Sequence, residues 1–247
     1  MTDDTKPDYV WLDFPDPPED RPYIYTNMVM SADGKVAIES TERGLGSLVD
    51  QRLMRELRVS ADVVLNGAGT LRQSGSSSRL NDPQLAAVRA ARGLSPNPIA
   101  AVLSGSGRMP LDRLFFTSNE FRAIVYLGSD AALEQTEAIR ATGREVVEVP
   151  ATNPVPGMLR HMRQELEASH VLVEGGPTLL GMLLDQGTVD EYFITISPRL
   201  VGGDETLTPV RSARPSTTDQ VRQLSLISAV PNPATGELYL RYRTGEN

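Results

Sequence analysis

Short runs of β-branched and apolar residues alternate along this chain with longer segments in which apolar residues recur every three or four positions. The first pattern is typical of buried strands and the second of amphipathic helices. Strands are predicted at residues 23–30, 61–65, 99–103, 123–127, 146–149 and 192–196, with a further one beginning at Val171. Helices are predicted at residues 48–60, 81–92, 130–141, 156–168 and 178–184. This alternation indicates βαβ units and an α/β fold built on a mostly parallel sheet.

The two ends of the chain differ from its middle. Residues 224–230 and 238–242 alternate in polarity around a Pro-Asn-Pro turn, which predicts an antiparallel hairpin at one end of the sheet. Residues 1–21 form an acidic, proline-rich leader, and residues 22–247 form a single domain. Four apolar side chains crowd the leader: Tyr9, Trp11, Leu12 and Phe14. The leader is therefore either a solvated tail or a segment that docks on the body or on a partner subunit.

Polar and glycine-rich segments follow five of the predicted strands. In open parallel sheets, ligands bind beyond the carboxyl ends of the strands, so these segments are predicted to share the edge that carries the site. They cover residues 31–34, 66–71, 104–108, 174–178 and 197–203.

The segment from Val171 to Leu180 carries the most specific pattern, because a buried strand ends in Glu174 and a helix then begins. Gly175 and Gly176 allow a ligand to approach the backbone closely. Pro177 suits the first helical turn, and the free N–H groups of that turn favour phosphate. The alternative is an ordinary tight turn between a strand and a helix.

A second glycine pair, Gly67 and Gly69, also follows a strand, as a dinucleotide-binding turn would. Arg72 replaces the third glycine of that fingerprint, so a plain turn remains the alternative. After the next strand, Ser104 and Arg108 stand where an acid would hold a free ribose hydroxyl. The carboxyl end of this strand therefore suits a ribose 2′-phosphate better than a free 2′-hydroxyl.

Arginines flank the serine-rich residues 73–78 and could belong to a lid that meets a phosphorylated substrate. They are Arg72, Arg79, Arg89 and Arg92, of which Arg72 is favoured because it lies nearest the predicted crevice. A solvated loop and helix face is the alternative.

Composition and charge disfavour nucleic-acid binding, metal binding and membrane insertion. The 247 residues carry a net charge of −8, which disfavours nucleic acid as a partner. The chain has no cysteine and two histidines, His161 and His170, which we expect at the surface or in capping positions, so no metal site is predicted. No apolar stretch is long enough to span a bilayer and no signal peptide is recognisable. We therefore expect a cytoplasmic protein without membrane contact.

Four segments together resemble the pyrimidine reductase domain of riboflavin biosynthesis, a relative of dihydrofolate reductase. They are residues 27–35, residues 57–58 with 64–71, residues 171–180, and residues 189–191 with 197–198 and 202–203. Their order and spacing match that family from residue 22 to about residue 243. The resemblance implies a three-layer α/β/α fold like that of dihydrofolate reductase, with a mostly parallel sheet and an antiparallel C-terminal hairpin.

The resemblance also implies a stand-alone, homodimeric reductase that uses NADPH to convert the ribosylamino group of a pyrimidine 5′-phosphate to a ribitylamino group. Glu174 and Asp33 are then the expected catalytic residues. The expected cofactor-binding residues are Val29, Thr70, Ser74, Ser104, Arg108, Gly175, Gly176, Pro177, Thr178 and Leu179. The expected substrate-binding residues are Asn27, Ser31, Arg72 and Glu174.

The chain departs from the family after Thr70, where Gln73-Ser74-Gly75-Ser76 replaces an acidic pair. A carboxylate expected near cofactor and substrate is therefore missing, which leaves two alternatives to the pyrimidine reductase. One is a reductase of a pterin such as dihydrofolate. The other is a protein that binds NADPH without turning over a substrate.

Overall fold

The structure, a computed structural model, describes residues 6–39, 41–212, 217–218 and 221–245. Its strands are Tyr23–Ser31 (β1), Val63–Gly67 (β2), Ile99–Ser104 (β3), Ala123–Gly128 (β4), Glu145–Val149 (β5), His170–Val173 (β6), Glu191–Ser197 (β7), Leu224–Asn232 (β8) and Glu237–Thr244 (β9). Its helices are Leu48–Leu57 (α1), Ala68–Ser74 (α2), Pro83–Ala91 (α3), Leu114–Thr117 (α4), Leu133–Ala141 (α5), Pro154–Gln164 (α6) and Pro177–Asp185 (α7).

All nine strands form one sheet in the order β5-β4-β3-β2-β6-β1-β7-β9-β8. The strands from β5 to β7 are parallel, while β7–β9 and β8–β9 pair antiparallel. The predicted mixed α/β sheet with an antiparallel C-terminal hairpin is confirmed. Because β1 lies between β6 and β7, the carboxyl ends of these three strands meet at the middle of one edge.

Alternate side chains of the central strands fill two buried layers, since successive strand residues point to opposite faces. On β2, Val63 and Leu65 join a core that includes α6 and α7. Val64 faces the other way and packs with Leu53 and Leu57 of α1. Helices therefore cover both faces of the sheet, which confirms the three-layer architecture.

The sequence patterns and the structure differ most at three helices, and α1 and α5 are each three residues shorter than predicted. The glycine-rich segment predicted as a turn is helical from Ala68, because Gly67 has the extended conformation of a helix N-cap. The short helix α4 carries no sequence signal and was not predicted. Helix α6 ends at Gln164, before the predicted end, and Glu167 beyond it has a left-handed backbone conformation. Helix α3 begins at Pro83, two residues after the predicted start, and Asp82 before it accepts hydrogen bonds from two backbone N–H groups.

The leader docks on the body along the sheet face that α1 also covers. Tyr9 is 5% exposed and meets the ring of Phe193 edge-on at a centroid distance of 4.9 Å. The ring of Phe14 lies 4.5 Å from that of Tyr25. Trp11 stays 68% exposed, beneath the guanidinium of Arg92. Of the two alternatives for the leader, the structure therefore favours docking.

Among the described residues, no helix has the length and apolar character needed to cross a membrane.

Candidate functional site

A cavity of about 800 Å³ opens at the carboxyl edge of the sheet, where β1, β2 and β6 end. Strand β1 contributes Asn27, Met28 and Val29 to its wall. Helix α1 contributes one long face, from Asp50 to Arg58, and the β6–α7 turn closes the opposite side. Binding sites for small molecules usually have this size and position.

The turn between β6 and α7 brings backbone to the cavity surface. Gly175 has a φ of +128°, a conformation that side chains rarely adopt, and a Cβ there would meet the Thr70 hydroxyl at 3.4 Å. The N–H of Gly176 donates to the Thr70 hydroxyl over 3.1 Å, and the N–H of Gly67 donates to the Gly175 carbonyl over 2.9 Å. Gly176, the N-cap of α7, supplies no side-chain cap to the first N–H groups of the helix. Those groups are thus oriented for an anion.

Glu174 lies between this turn and α1 and is held by Arg58. The Nε and Nη2 atoms of Arg58 each donate to one Glu174 carboxylate oxygen over 2.6 Å. Both side chains are less than a tenth exposed and both line the cavity. The third guanidinium nitrogen of Arg58 donates to the backbone carbonyl of Arg79. A fork of this kind fixes the orientation of the carboxylate and balances its charge.

Asp50 is a second acid in the cavity wall, in the first turn of α1, and it is 8% exposed. Burial raises the pKa of its carboxyl to about 6, although a hydrogen bond from the Thr195 hydroxyl acts in the opposite direction. The backbone of Gly46 lies so close that a Cβ there would come within 2.1 Å of Asp50 Oδ2. The carboxyl of Asp50 is therefore confined between Gly46, Thr195 and the cavity.

An acid at this position of a helix often accepts a hydrogen bond from the N-cap residue. Here another carboxylate does so, because the N–H and the hydroxyl of Ser47 donate to the two Glu237 oxygens over 2.7 and 2.6 Å. The Ser47 hydroxyl in turn accepts from the N–H groups of Val49 and Asp50. The capping of α1 is therefore complete without the Asp50 side chain.

Ser31 and Asp33 interact with each other and with the segment that follows β7. The Ser31 hydroxyl donates to Asp33 Oδ1 over 2.6 Å, and the N–H groups of Val201 and Gly202 donate to the same carboxylate. These bonds, led by that from Ser31, lower the pKa of the exposed Asp33 carboxyl to about 2. Asp33 thus ties the turn after β1 to the turn after β7.

The arginines proposed for a lid separate into two groups. Arg79 lines the cavity, and its buried Nε has no hydrogen-bond partner among the described residues. Arg72 donates to the Arg108 carbonyl over 3.1 Å, and its own carbonyl accepts from Arg113, which lines the cavity. Arg72 and Arg108 therefore lie beside the rim.

Two further arginines belong to the fold. Arg89 is 1% exposed and donates to the carbonyls of Arg58, Val59 and Ala61. Arg92 donates to the carbonyl of Val10 in the leader. Neither lines the cavity.

Half of the residues predicted for the site meet in the cavity. Its wall contains Asn27, Val29, Thr70, Glu174, Gly175, Gly176 and Pro177. The residues that do not line it are Ser31, Asp33, Arg72, Ser104, Arg108, Thr178 and Leu179. Ser104 is buried and accepts from the N–H of Gly107, which shapes the turn after β3. The side chain of Ser74 lies outside the part of the chain that the structure describes.

Residues 22–228 match the family model of the RibD C-terminal domain. The chain belongs to this family. The match spans most of the body of the protein and includes β1, the β6–α7 turn and the Arg58–Glu174 pair. The resemblance to the riboflavin pyrimidine reductases is thereby confirmed.

Two relatives of this RibD C-terminal domain are named 2,5-diamino-6-ribosylamino-4(3H)-pyrimidinone 5′-phosphate reductase. The one from Archaeoglobus fulgidus is 27% identical over 189 residues, which cover 76% of this chain and 85% of the relative. The one from Methanothermobacter thermautotrophicus is 28% identical over 191 residues, with coverages of 77% and 84%. A crystal structure of a pyrimidine reductase-like protein from Corynebacterium diphtheriae shares the fold, with a TM-score of 0.82 and 22% identity over 92% of this chain and 94% of that one.

The sequence patterns assign no role to two charged residues of this RibD C-terminal domain, Asp50 and Arg58, which the structure brings into the cavity wall. Arg58 lies in one of the four matching segments without an assigned role, and no pattern assigns a role to Asp50. A signal for Asp50 was present, since it shares the buried face of α1 with Leu53 and Leu57, three and seven residues further on. A charged residue within an apolar stripe is uncommon unless it has a partner.

Proposed function

We propose that this chain is a reductase that uses NADPH to convert the ribosylamino group of a pyrimidine 5′-phosphate to a ribitylamino group, in riboflavin biosynthesis. The family match over residues 22–228 carries the proposal, because two relatives covered for more than four fifths of their length are named for this reaction. The cavity at the carboxyl edge, with its buried acids and arginines, supports it.

The β6–α7 turn fits the diphosphate of a dinucleotide. Gly175 and Gly176 bring backbone to the cavity surface, and the uncapped first turn of α7 offers N–H groups to an anion. Thr70 supports the turn from α2. When bound, the nicotinamide supplies the hydride, and reduction of a C=N bond to an amine also consumes one proton.

The residues of the chain bind and orient the substrate. We propose that Glu174, fixed by Arg58, binds the sugar hydroxyls beside the carbon that is reduced. Asn27 and Val29 form the floor from β1. Asp33 is assigned a positioning part, because its carboxylate holds the turns after β1 and β7 together.

Preference for NADPH over NADH is part of the proposal. Arg72, Arg108 and Arg113 are linked through backbone carbonyls beside the rim, which suits the extra phosphate of NADPH. Replacing Arg108 by alanine should weaken NADPH binding about tenfold and leave NADH binding unchanged. Equal losses for both cofactors would contradict this assignment. The control is Arg140→Ala, which removes an exposed arginine that pairs with Glu148 on β5.

We also propose that the protein is a homodimer in the cytoplasm. Strand β8 forms a free edge of the sheet and exposes Leu226 and Ile227. Long apolar edge strands are usually covered in folded proteins. Light scattering during size exclusion would give the mass of the assembly, and a monomer at micromolar concentration would contradict the dimer.

The test is substrate-dependent oxidation of NADPH by the purified chain. Incubation with 2,5-diamino-6-ribosylamino-4(3H)-pyrimidinone 5′-phosphate, or with the corresponding 5-amino uracil, should oxidise NADPH and yield a product heavier by two hydrogens. Tight NADPH binding without oxidation with either compound or with dihydrofolate would overturn the proposal in favour of a binding protein.

Reduction of a pterin such as dihydrofolate is a second candidate. It is favoured by the segment after Thr70, because Gln73, Gly75 and Ser76 line the cavity where an acidic pair was expected. A different substrate is compatible with such a change in the wall. A larger kcat/KM for dihydrofolate than for the pyrimidines would establish this candidate.

A further inference from the structure

Asp50 has more capacity to accept hydrogen bonds than the protein uses. An ionised carboxylate offers about four acceptor positions on its two oxygens. The Thr195 hydroxyl donates to it, and among the described residues it forms no ion pair with lysine, arginine or histidine. Among the residues that the structure describes, the charged neighbour that shifts its pKa is Glu237, which carries the same charge. A buried acid in this state requires donors from a ligand.

The charged residues along α1 give the cavity an acidic end and a basic end. Asp50, Met54 and Arg58 follow one face of the helix, so Asp50 and Arg58 lie about 12 Å apart along its axis. The basic end continues from Arg58 to Arg79. Arg58 is paired with Glu174 and Arg79 with Glu120, so the positive charge left for a phosphate in this part of the wall is that of Arg113, whereas Asp50 repels a phosphate. A substrate with a phosphate at one end therefore presents its base to Asp50.

We infer that Asp50 binds the edge of a 2-amino-4-oxopyrimidine ring, accepting one hydrogen bond from the ring N3–H and one from the 2-amino group. This inference rests on the proposed function and names the substrate class of the same cavity. It assigns to Asp50 the selection of the diaminopyrimidinone over the corresponding uracil. In uracil a carbonyl replaces the 2-amino group, so one carboxylate oxygen faces a second acceptor.

The geometry around Asp50 makes this selection strict. Gly46 closes one side of the carboxyl and Thr195 holds another, so it cannot turn away from a mismatched ring without losing that hydrogen bond. A mismatch leaves buried acceptors facing each other, which costs more than the loss of one contact. The capping of α1 by Glu237 keeps the helix start in place.

The test compares kcat/KM for the diaminopyrimidinone phosphate and the aminouracil phosphate at saturating NADPH. The native chain should prefer the diaminopyrimidinone roughly 10- to 100-fold. Asp50→Asn replaces one acceptor by a donor of the same shape, so it should lose activity on the diaminopyrimidinone, gain it on the uracil and invert the ratio. Asp50→Ala should lower the first activity without raising the second.

Asp185→Asn, at the exposed end of α7, is the matched control and should change neither value. Thermal unfolding of each variant confirms that folded protein is compared. Equal factors on both substrates in Asp50→Asn would overturn the inference and leave the proposed function standing. No turnover of either substrate by the native chain would overturn the proposed function itself.

A dihydropterin carries the same 2-amino-4-oxo edge, so dihydrofolate is the third arm of the assay. Turnover of dihydrofolate by the native chain that falls roughly 10- to 100-fold in Asp50→Asn would support the assignment of the edge to Asp50. Turnover that is unaffected by Asp50→Asn would contradict it.

Discussion

Two acids in one cavity, Glu174 and Asp50, differ in the hydrogen-bond donors that the fold provides for their carboxylates. Glu174, at the end of β6, receives two charged N–H groups from Arg58. Asp50, at the start of α1, has the hydroxyl of Thr195 and a raised pKa. Both side chains are largely withdrawn from solvent. What separates them is therefore the supply of donors and not the exposure to water.

Buried acids elsewhere in the molecule resemble Glu174. Glu191, at the opposite end of the sheet, is fully buried and accepts from Tyr23, Arg241 and Arg243. This fold thus provides buried acids with several donors where no ligand is expected. The comparison shows that Asp50 is an exception, and that the exception lies in the cavity wall.

The largest expected effect concerns Glu174. Glu174→Gln keeps the shape of the side chain but removes its charge and turns one acceptor oxygen into an NH2 donor, so Arg58 loses its ionic partner and the proposed sugar contact is weakened. We expect kcat to fall by roughly 10²–10⁴-fold. The Kd for NADPH should stay nearly unchanged, because we propose that backbone N–H groups of the β6–α7 turn bind the diphosphate. Steady-state rates and cofactor titration measure the two quantities.

The control for this change is Glu145→Gln, which breaks an exposed ion pair with Arg122 on the edge strand β5 and should leave kcat unchanged. Arg58→Lys sharpens the comparison, because it keeps a positive charge but cannot form the two-pronged contact. Native turnover in Glu174→Gln would remove Glu174 from the mechanism.

The contrast between the two acids also explains what the sequence could predict. Glu174 sits in a contiguous pattern of strand, acid, glycines, proline and helix, and each residue type has a local physical reason. The Asp50 site depends on Gly46, just before α1, and on Thr195 and Glu237, which come from distant parts of the chain and meet Asp50 only when α1, β7 and β9 assemble. Periodicity predicts α1 and its buried face but not the surroundings of one carboxyl.

The same reasoning applies to the arginines, which sequence proximity alone did not sort. Arg72 is nearest to the glycine-rich segment along the chain, yet its guanidinium binds the Arg108 carbonyl at the rim. Arg58 reaches the cavity from the C-terminal end of α1, whereas the guanidinium of Arg89 donates its hydrogen bonds to backbone carbonyls. Side chains this long reach several possible partners, so local patterns do not fix their ends.

The next largest effect is on stability. The pKa of Asp50 is raised from 3.8 to about 6, so the folded chain holds this proton more tightly than the unfolded chain. The contribution of Asp50 to the free energy of unfolding is therefore greatest below about pH 4 and falls by about 3 kcal/mol as the pH rises to about 6 and beyond. Asp50→Asn should remove this fall and be the more stable protein at pH 7, although it is impaired on its substrate.

Denaturant unfolding of the native chain and Asp50→Asn at pH 4 and pH 7 measures this difference. The two stabilities should approach each other at pH 4, where native Asp50 is protonated. A variant that is less stable than the native chain at pH 7 would mean that the protein itself stabilises the Asp50 carboxylate, so that no donors from a ligand are needed.

The smallest expected effect concerns Thr195, whose hydroxyl donates to Asp50. Thr195→Val keeps the shape of the side chain and removes the hydroxyl, so it should destabilise the folded chain by about 1–2 kcal/mol at pH 7. The loss should shrink at pH 4, because the ionised carboxylate is the stronger acceptor. In the Asp50→Asn background the pH dependence of the loss should disappear, which a double-mutant cycle measures as the coupling between the two residues. A loss that is the same at both pH values and in both backgrounds would place the Thr195 hydroxyl elsewhere and leave Asp50 with no donor from the protein, which would make the contrast with Glu174 still larger.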